Sequence, residues 1–168
     1  MAKGIFVSTT PGMENLSFVS TAERENGMLF EKGDIVTDNP LVYNAVIPTG
    51  TATVYVAGNP AWNYDTSSVV NQNEDGYVIP AGKNFRVYDI PAGKRFTIAD
   101  YGITGAGSIA EGDVIGLTAG STKPTVDGDT AVFKGKVVKV ETQSYQFWVG
   151  QSVDTRAKLV TIEVVKNG

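Results

Sequence analysis

Eighteen Asp and Glu residues are the only abundant groups in this 168-residue chain that could act as acid or base near neutral pH, because histidine and cysteine are both absent. Without histidine there is no Ser-His-Asp arrangement and no imidazole ligand for a metal. Without cysteine there is no disulfide, no thiolate metal site and no thiol nucleophile. A carboxylate pair could still cleave a glycosidic bond if it were held about 5–10 Å apart. Glu31, Asp34, Glu111 and Asp113 stand where turns and strand starts belong, and solvated side chains are expected there. Ser121-Thr122-Lys123 is the nearest approach to a Ser-Lys nucleophile pair, within a Gly, Ser, Thr and Pro tract that reads as a loop tip.

The remaining motifs fail on context. Gly105-Ala106-Gly107-Ser108-Ile109-Ala110 fits the dinucleotide pattern G-x-G-x-x-A. That pattern works by opening a helix onto a pyrophosphate, whereas Glu111-Gly112-Asp113 leads into another strand. The two Ala-Gly-Lys triplets lack the Ser or Thr and the upstream Gly of a phosphate loop. Asn71-Gln72-Asn73-Glu74-Asp75-Gly76 imitates half of a calcium loop, but position twelve of that frame is Gly82 instead of a bidentate Glu. Asp127-Gly128-Asp129 is a turn signal before it is a cation site. No catalytic, cofactor or metal residue is therefore assigned, and the chain is not expected to be an enzyme.

The elements that carry these residues are strands. Val and Thr are frequent, whereas Leu occurs only at positions 16, 29, 41, 117 and 159. Ile79-Pro80-Ala81-Gly82-Lys83-Asn84-Phe85 is echoed eleven residues later by Ile90-Pro91-Ala92-Gly93-Lys94-Arg95-Phe96. Each Pro-Ala-Gly-Lys predicts a tight reversal feeding a strand, and the spacing suits a β meander. Strands are expected at 33–37, 41–47, 51–57, 84–89, 95–100, 113–117, 131–141, 145–149 and 157–165, with a bulge or edge at Lys134-Gly135-Lys136. Val160, Ile162 and Val164 should share a core face, as should Tyr145, Phe147 and Val149. Only 21–26 has helical composition, enough for one turn. The fold class is all-β, an antiparallel sandwich or barrel with short strands and little or no helix. Residues 1–12 read as an N-terminal arm and 13–168 as one domain, which would divide, if it does, near 102–112.

Contact surfaces are the remaining route to function. Ile5 and Phe6 sit in an apolar patch that is either a first strand of the parent sheet or a dock for a neighbouring subunit. Trp62 and Tyr64 lie in a long polar loop and suit a sugar platform or an interface hot spot, whereas Trp148 reads as core. A net charge of −4 and a pI near 4.8 argue against a nucleic-acid partner. No apolar run is long enough to span a bilayer, so no membrane partner is expected.

Phe30-Glu31-Lys32-Gly33-Asp34-Ile35-Val36, Leu41-Val42-Tyr43-Asn44-Ala45-Val46-Ile47-Pro48 and Val54-Tyr55-Val56-Ala57-Gly58-Asn59-Pro60 form an ordered series. Phe96-Thr97-Ile98, the run from Ile109 to Leu117, Phe133-Lys134-Gly135-Lys136-Val137-Val138 and the run from Leu159 to Val165 continue it. This order and spacing over 26–165 resembles the capsid decoration, or cement, proteins of tailed bacteriophages. The resemblance implies a structural virion protein, assembled in the host cytoplasm onto the outside of the phage head. Its partner would be the major capsid protein and it would be a homo-oligomer, with a trimer favoured; it would need no cofactor. The other reading of the aromatics is a carbohydrate-binding β-sandwich from a tail fibre or a glycosidase.

Overall fold

The computed structural model describes residues 6–9, 14–59, 77–146 and 156–168, with backbone alone for 7–9, 142–146 and 156–157. Eleven strands occur in this order: β1 (Phe6–Thr9), β2 (Asn15–Val19), β3 (Leu29–Val36), β4 (Asn39–Val46), β5 (Val54–Ala57), β6 (Asn84–Asp89), β7 (Arg95–Ala99), β8 (Val114–Gly116), β9 (Thr125–Val126), β10 (Phe133–Gln146) and β11 (Arg156–Asn167). Two single 3₁₀ turns, Asp100–Gly102 and Ala106–Ser108, are the only helical elements among the described residues. The fold is all-β.

The strands sort into two sheets. β2, β4, β3, β5 and β6 close into a barrel, while β1, β7, β11, β10, β8 and β9 form a six-stranded open sheet. Every pairing is antiparallel except β2 with β4. The barrel is filled mainly by rings: Phe18 stands edge-on to Phe85 and Tyr55 at 6.4 and 5.5 Å, and Phe30 edge-on to Phe85 at 5.6 Å. Such edge-to-face contacts set a ring's positive rim on its neighbour's negative face.

Alternation along β3 and β5 joins the two sheets. Phe30 and Ala57 point into the barrel, whereas Leu29, Val54 and Val56 point out of it and pack with Ile98, Val160 and Ile162 of the open sheet. Both faces of β5 are therefore covered, which accounts for its unbroken apolar run, Val54-Tyr55-Val56-Ala57. Asn167 locks the joint. Its amide accepts from Val54 N–H at 2.9 Å and donates to the carbonyls of Val54 and Ile90 at 2.9 and 3.1 Å.

The two Pro-Ala-Gly-Lys turns form as expected. Lys83 N–H donates to Pro80 O and Lys94 N–H to Pro91 O, at 3.3 and 3.1 Å, with Gly82 and Gly93 at φ of 71° and 88°. They do not lie in one meander: the first turn feeds β6 of the barrel and the second feeds β7 of the open sheet. The tandem repeat is the point at which the chain changes sheets, with Ile79 and Phe85 in the barrel core and Ile90 and Phe96 in the shared core.

Other expectations are adjusted by long-range pairing. Residues 21–26 make no helix; Arg24 instead forms an isolated bridge with Ile79, and its guanidinium lies 5.5 Å from the Phe30 ring centre. β2 and β9 are strands that composition did not announce; β10 runs unbroken from the segment expected at 131–141 into residues 145 and 146 of the one expected at 145–149, whose remainder, with Phe147 and Val149, lies outside the described residues. The register slip expected at Lys134-Gly135-Lys136 falls between Lys134 and Gly135. Val160, Ile162 and Val164 share a buried face. Residues 102–112 pack inward through Ile103, Ala106 and Ile109.

Candidate interaction surface

The barrel carries a projecting ribbon. β5 pairs with β3 only over Leu29, Phe30 and Glu31, and β2 pairs with β4 only over Val42, Tyr43 and Asn44. Among the described residues, β3 beyond Glu31 is therefore joined only to β4, Lys32 with Ala45, Ile35 with Tyr43 and Val36 with Asn39, and Asn39–Leu41 of β4 runs past the end of β2. Pro40 offers no N–H to the ladder, and the Asn39 side chain accepts from Leu41 N–H at 3.2 Å. Register is lost there, and Leu41 is left 79% exposed. Ile35, 51% exposed, lies opposite Tyr43, whose ring carries the Lys32 ammonium 5.0 Å from its centre. Two large apolar side chains thus stand in water on a braced hairpin.

The base of that ribbon is polar and closed. Glu31 is 5% exposed, which corrects the solvated state expected of it. Its carboxylate accepts from the N–H groups of Thr49 and Gly50 at 2.8 and 3.2 Å and from the Thr49 hydroxyl at 2.9 Å. These donors satisfy the buried oxygens, so Glu31 holds the β4–β5 loop in place. Asp34 and Glu111 are exposed, and Asp113 accepts from Ala110 N–H at 2.8 Å.

The expected contact residues fall in different settings. Ile5, Trp62, Tyr64 and Trp148 lie outside the described residues, as does the stretch 71–76. Phe6 is in β1, paired with β7, and its ring stacks on Tyr88 with centroids 5.3 Å apart. Of the two readings of that patch, the structure therefore describes the strand of the parent sheet. The ring also lies against Gly58, where a Cβ would come within 2.7 Å of it. The segment holding Trp62 and Tyr64 springs from a clasp: Asn26 accepts from Asn59 N–H at 2.9 Å and donates to its carbonyl at 2.8 Å. Asn59 in turn donates to the Tyr77 hydroxyl at 2.5 Å, so both ends of the segment are tied together.

The other chemical motifs resolve into local structure. Ser121 Oγ is engaged with the backbone N–H and carbonyl of Lys123, and Lys123 Nζ donates to the carbonyl of Tyr101 at 3.3 Å. They do not form a nucleophile and base. Gly105–Ala110 contains one 3₁₀ turn and leads to β8, without a helix to face a pyrophosphate. Asp127 takes a left-handed φ of 54°, and Asp129 accepts from Ala131 N–H at 2.9 Å. No cluster of three or more metal-ligating side chains occurs among the described residues. Burial holds the Asp100 carboxyl above its ordinary range, although backbone N–H groups of Lys158 and Tyr101 oppose that shift.

The surface residues Ile35 and Leu41 were legible only as members of strands. The strands expected at 33–37 and 41–47 left only 38–40 between them, but exposure followed from where β2 and β5 stop. In comparisons with known proteins, the chain matches no family and no curated relative.

Proposed function

We propose that this protein is a structural binding protein that attaches to the outer surface of a tailed-phage head and stabilises the capsid lattice. The single observation that carries the reading is Leu41, 79% exposed on the same β3–β4 hairpin as the exposed Ile35. A large aliphatic group held out on a hydrogen-bonded hairpin suits insertion into a partner's pocket, because backbone pairing already restricts the freedom that binding would remove. Many identical copies on a symmetric lattice would multiply a modest affinity through avidity. The order of strand signals over 26–165 supplies the resemblance to decoration proteins.

Co-sedimentation with purified heads tests this. Leu41→Asp and Ile35→Asp should reduce occupancy at least tenfold while thermal unfolding stays unchanged. Wild-type occupancy by both variants would overturn the role of the ribbon. Deleting residues 1–12 is a poorer test, because it removes Phe6 and its stack on Tyr88.

A carbohydrate-binding module is the second reading, favoured by the Asn26–Asn59–Tyr77 clasp, which ties together the two residues, Asn59 and Tyr77, between which Trp62 and Tyr64 occur in the sequence. Glycan-array binding that disappears in Trp62→Ala would select it over the first.

A further inference from the structure

Among the described residues, β10 has an open edge. It runs for 14 residues, but β8 lies opposite only Gly135 and Lys136. Val137 completes that border, donating to Asp113 O at 2.9 Å and accepting from Gly112 N–H at 2.8 Å. Beyond it, from Val138 to Gln146, no strand pairs with this side of β10 among the described residues. A long open edge is a template for another strand, and proteins commonly guard such edges with charge.

The charges here are arranged symmetrically. Val140 packs against the core, which turns its neighbours Lys139 and Glu141 to the opposite face. These two are solvent-exposed and form an ion pair along the strand. A two-fold axis through Val140 would set Lys139 opposite Glu141 of a second copy, and Glu141 opposite the second copy's Lys139. Centring the axis on Lys139 or on Glu141 would instead place like charges face to face. The edge is therefore neutral and self-complementary in one register and repulsive in the nearest alternatives of the same parity.

We infer that β10 is a homotypic docking edge, where a second copy of this chain adds antiparallel about Val140 and fuses the two open sheets. The paired stretch is 138–142, bounded by the bonds of Val137 to Gly112 and Asp113. Past it, each incoming strand must turn away from that border. Against β11, β10 carries register shifts between Val137 and Lys139 and between Glu141 and Tyr145, on either side of the central Lys139–Glu141. An edge this short buries less than the roughly 1,000 Å² of a robust interface, so the dimer should be concentration-dependent. The assignment is independent of what the β3–β4 ribbon binds.

Charge reversal in trans provides the test. Sedimentation velocity on the full chain should show the mass rising from 17.8 kDa towards twice that value with concentration. Lys139→Glu and Glu141→Lys should each remain monomeric, because each creates two like-charge contacts across the axis. Mixing the two variants should restore dimers, since one then presents two carboxylates and the other two ammonium groups. Circular dichroism melts of the single variants verify that each is folded. A wild-type mass fixed at 17.8 kDa, single variants that dimerise normally, or a mixture no heavier than its components would each overturn the assignment.

Discussion

At the scale of single residues, two side chains carry unusual loads. Asn167 makes three hydrogen bonds across the joint between barrel and sheet. Asn167→Ala strands the N–H of Val54 and two carbonyls, and should cost about 2–3 kcal/mol in denaturant unfolding. Asn167→Asp should restore little of it, because a carboxylate cannot donate to those carbonyls. Asp100 acts in the other direction. Its Oδ1 is buried without a hydrogen-bond partner among the described residues, and burial raises its pKa above the ordinary 3.8. A carboxyl that binds its proton more tightly when folded makes stability fall as pH rises from the unfolded value through the folded one. Asp100→Asn should therefore melt higher than wild type at neutral pH. The difference should close as pH drops below 3.8, and melting curves across that range check the sign.

At the scale of elements, the twin turns offer a controlled comparison. A Cβ added at Gly82 or Gly93 would meet no atom within 4 Å, so substitution there probes backbone conformation alone. Gly82→Ala and Gly93→Ala should each cost about 1–2 kcal/mol in chemical denaturation, the penalty of a left-handed φ for a residue with a Cβ. The two costs should match although one turn belongs to the barrel and the other to the open sheet. The β3–β4 ribbon differs in kind. Its exposed Ile35 and Leu41 contribute little to folding, so their substitution should alter binding and leave stability alone.

At the scale of the whole molecule, the question is whether barrel and sheet unfold together. One core cluster includes Leu29, Val54 and Val56 from the barrel and Ile98, Val160 and Ile162 from the sheet. Neither sheet can expose its share without exposing the other's. Thermal unfolding should be a single transition with equal calorimetric and van't Hoff enthalpies. Val54→Ala, at the shared face, should lower that one transition by about 2 kcal/mol without splitting it. Two resolved transitions would show that the barrel and the sheet are separately stable. The same rigidity would brace the ribbon and the β10 edge as fixed surfaces on one body.

Much of the fold was legible because its signals are local. The Pro-Ala-Gly-Lys reversals, the slip at Lys134-Gly135-Lys136 and the face shared by Val160, Ile162 and Val164 depend on a missing N–H, a permitted φ or a two-residue period. The absence of histidine and cysteine likewise bounds the chemistry from composition alone. The candidate surface was much less legible. Leu41 and Val42 are adjacent aliphatic residues in one strand, yet one is 79% exposed and the other 3%. Glu31 has an ordinary sequence context but is buried because Thr49 and Gly50 fold back onto it. Local chemistry determined that this chain makes strands and where most of them turn. Pairing between distant segments decided which sheet each strand joined, where β2, β5 and β8 stopped, and so which edges and side chains were left facing water.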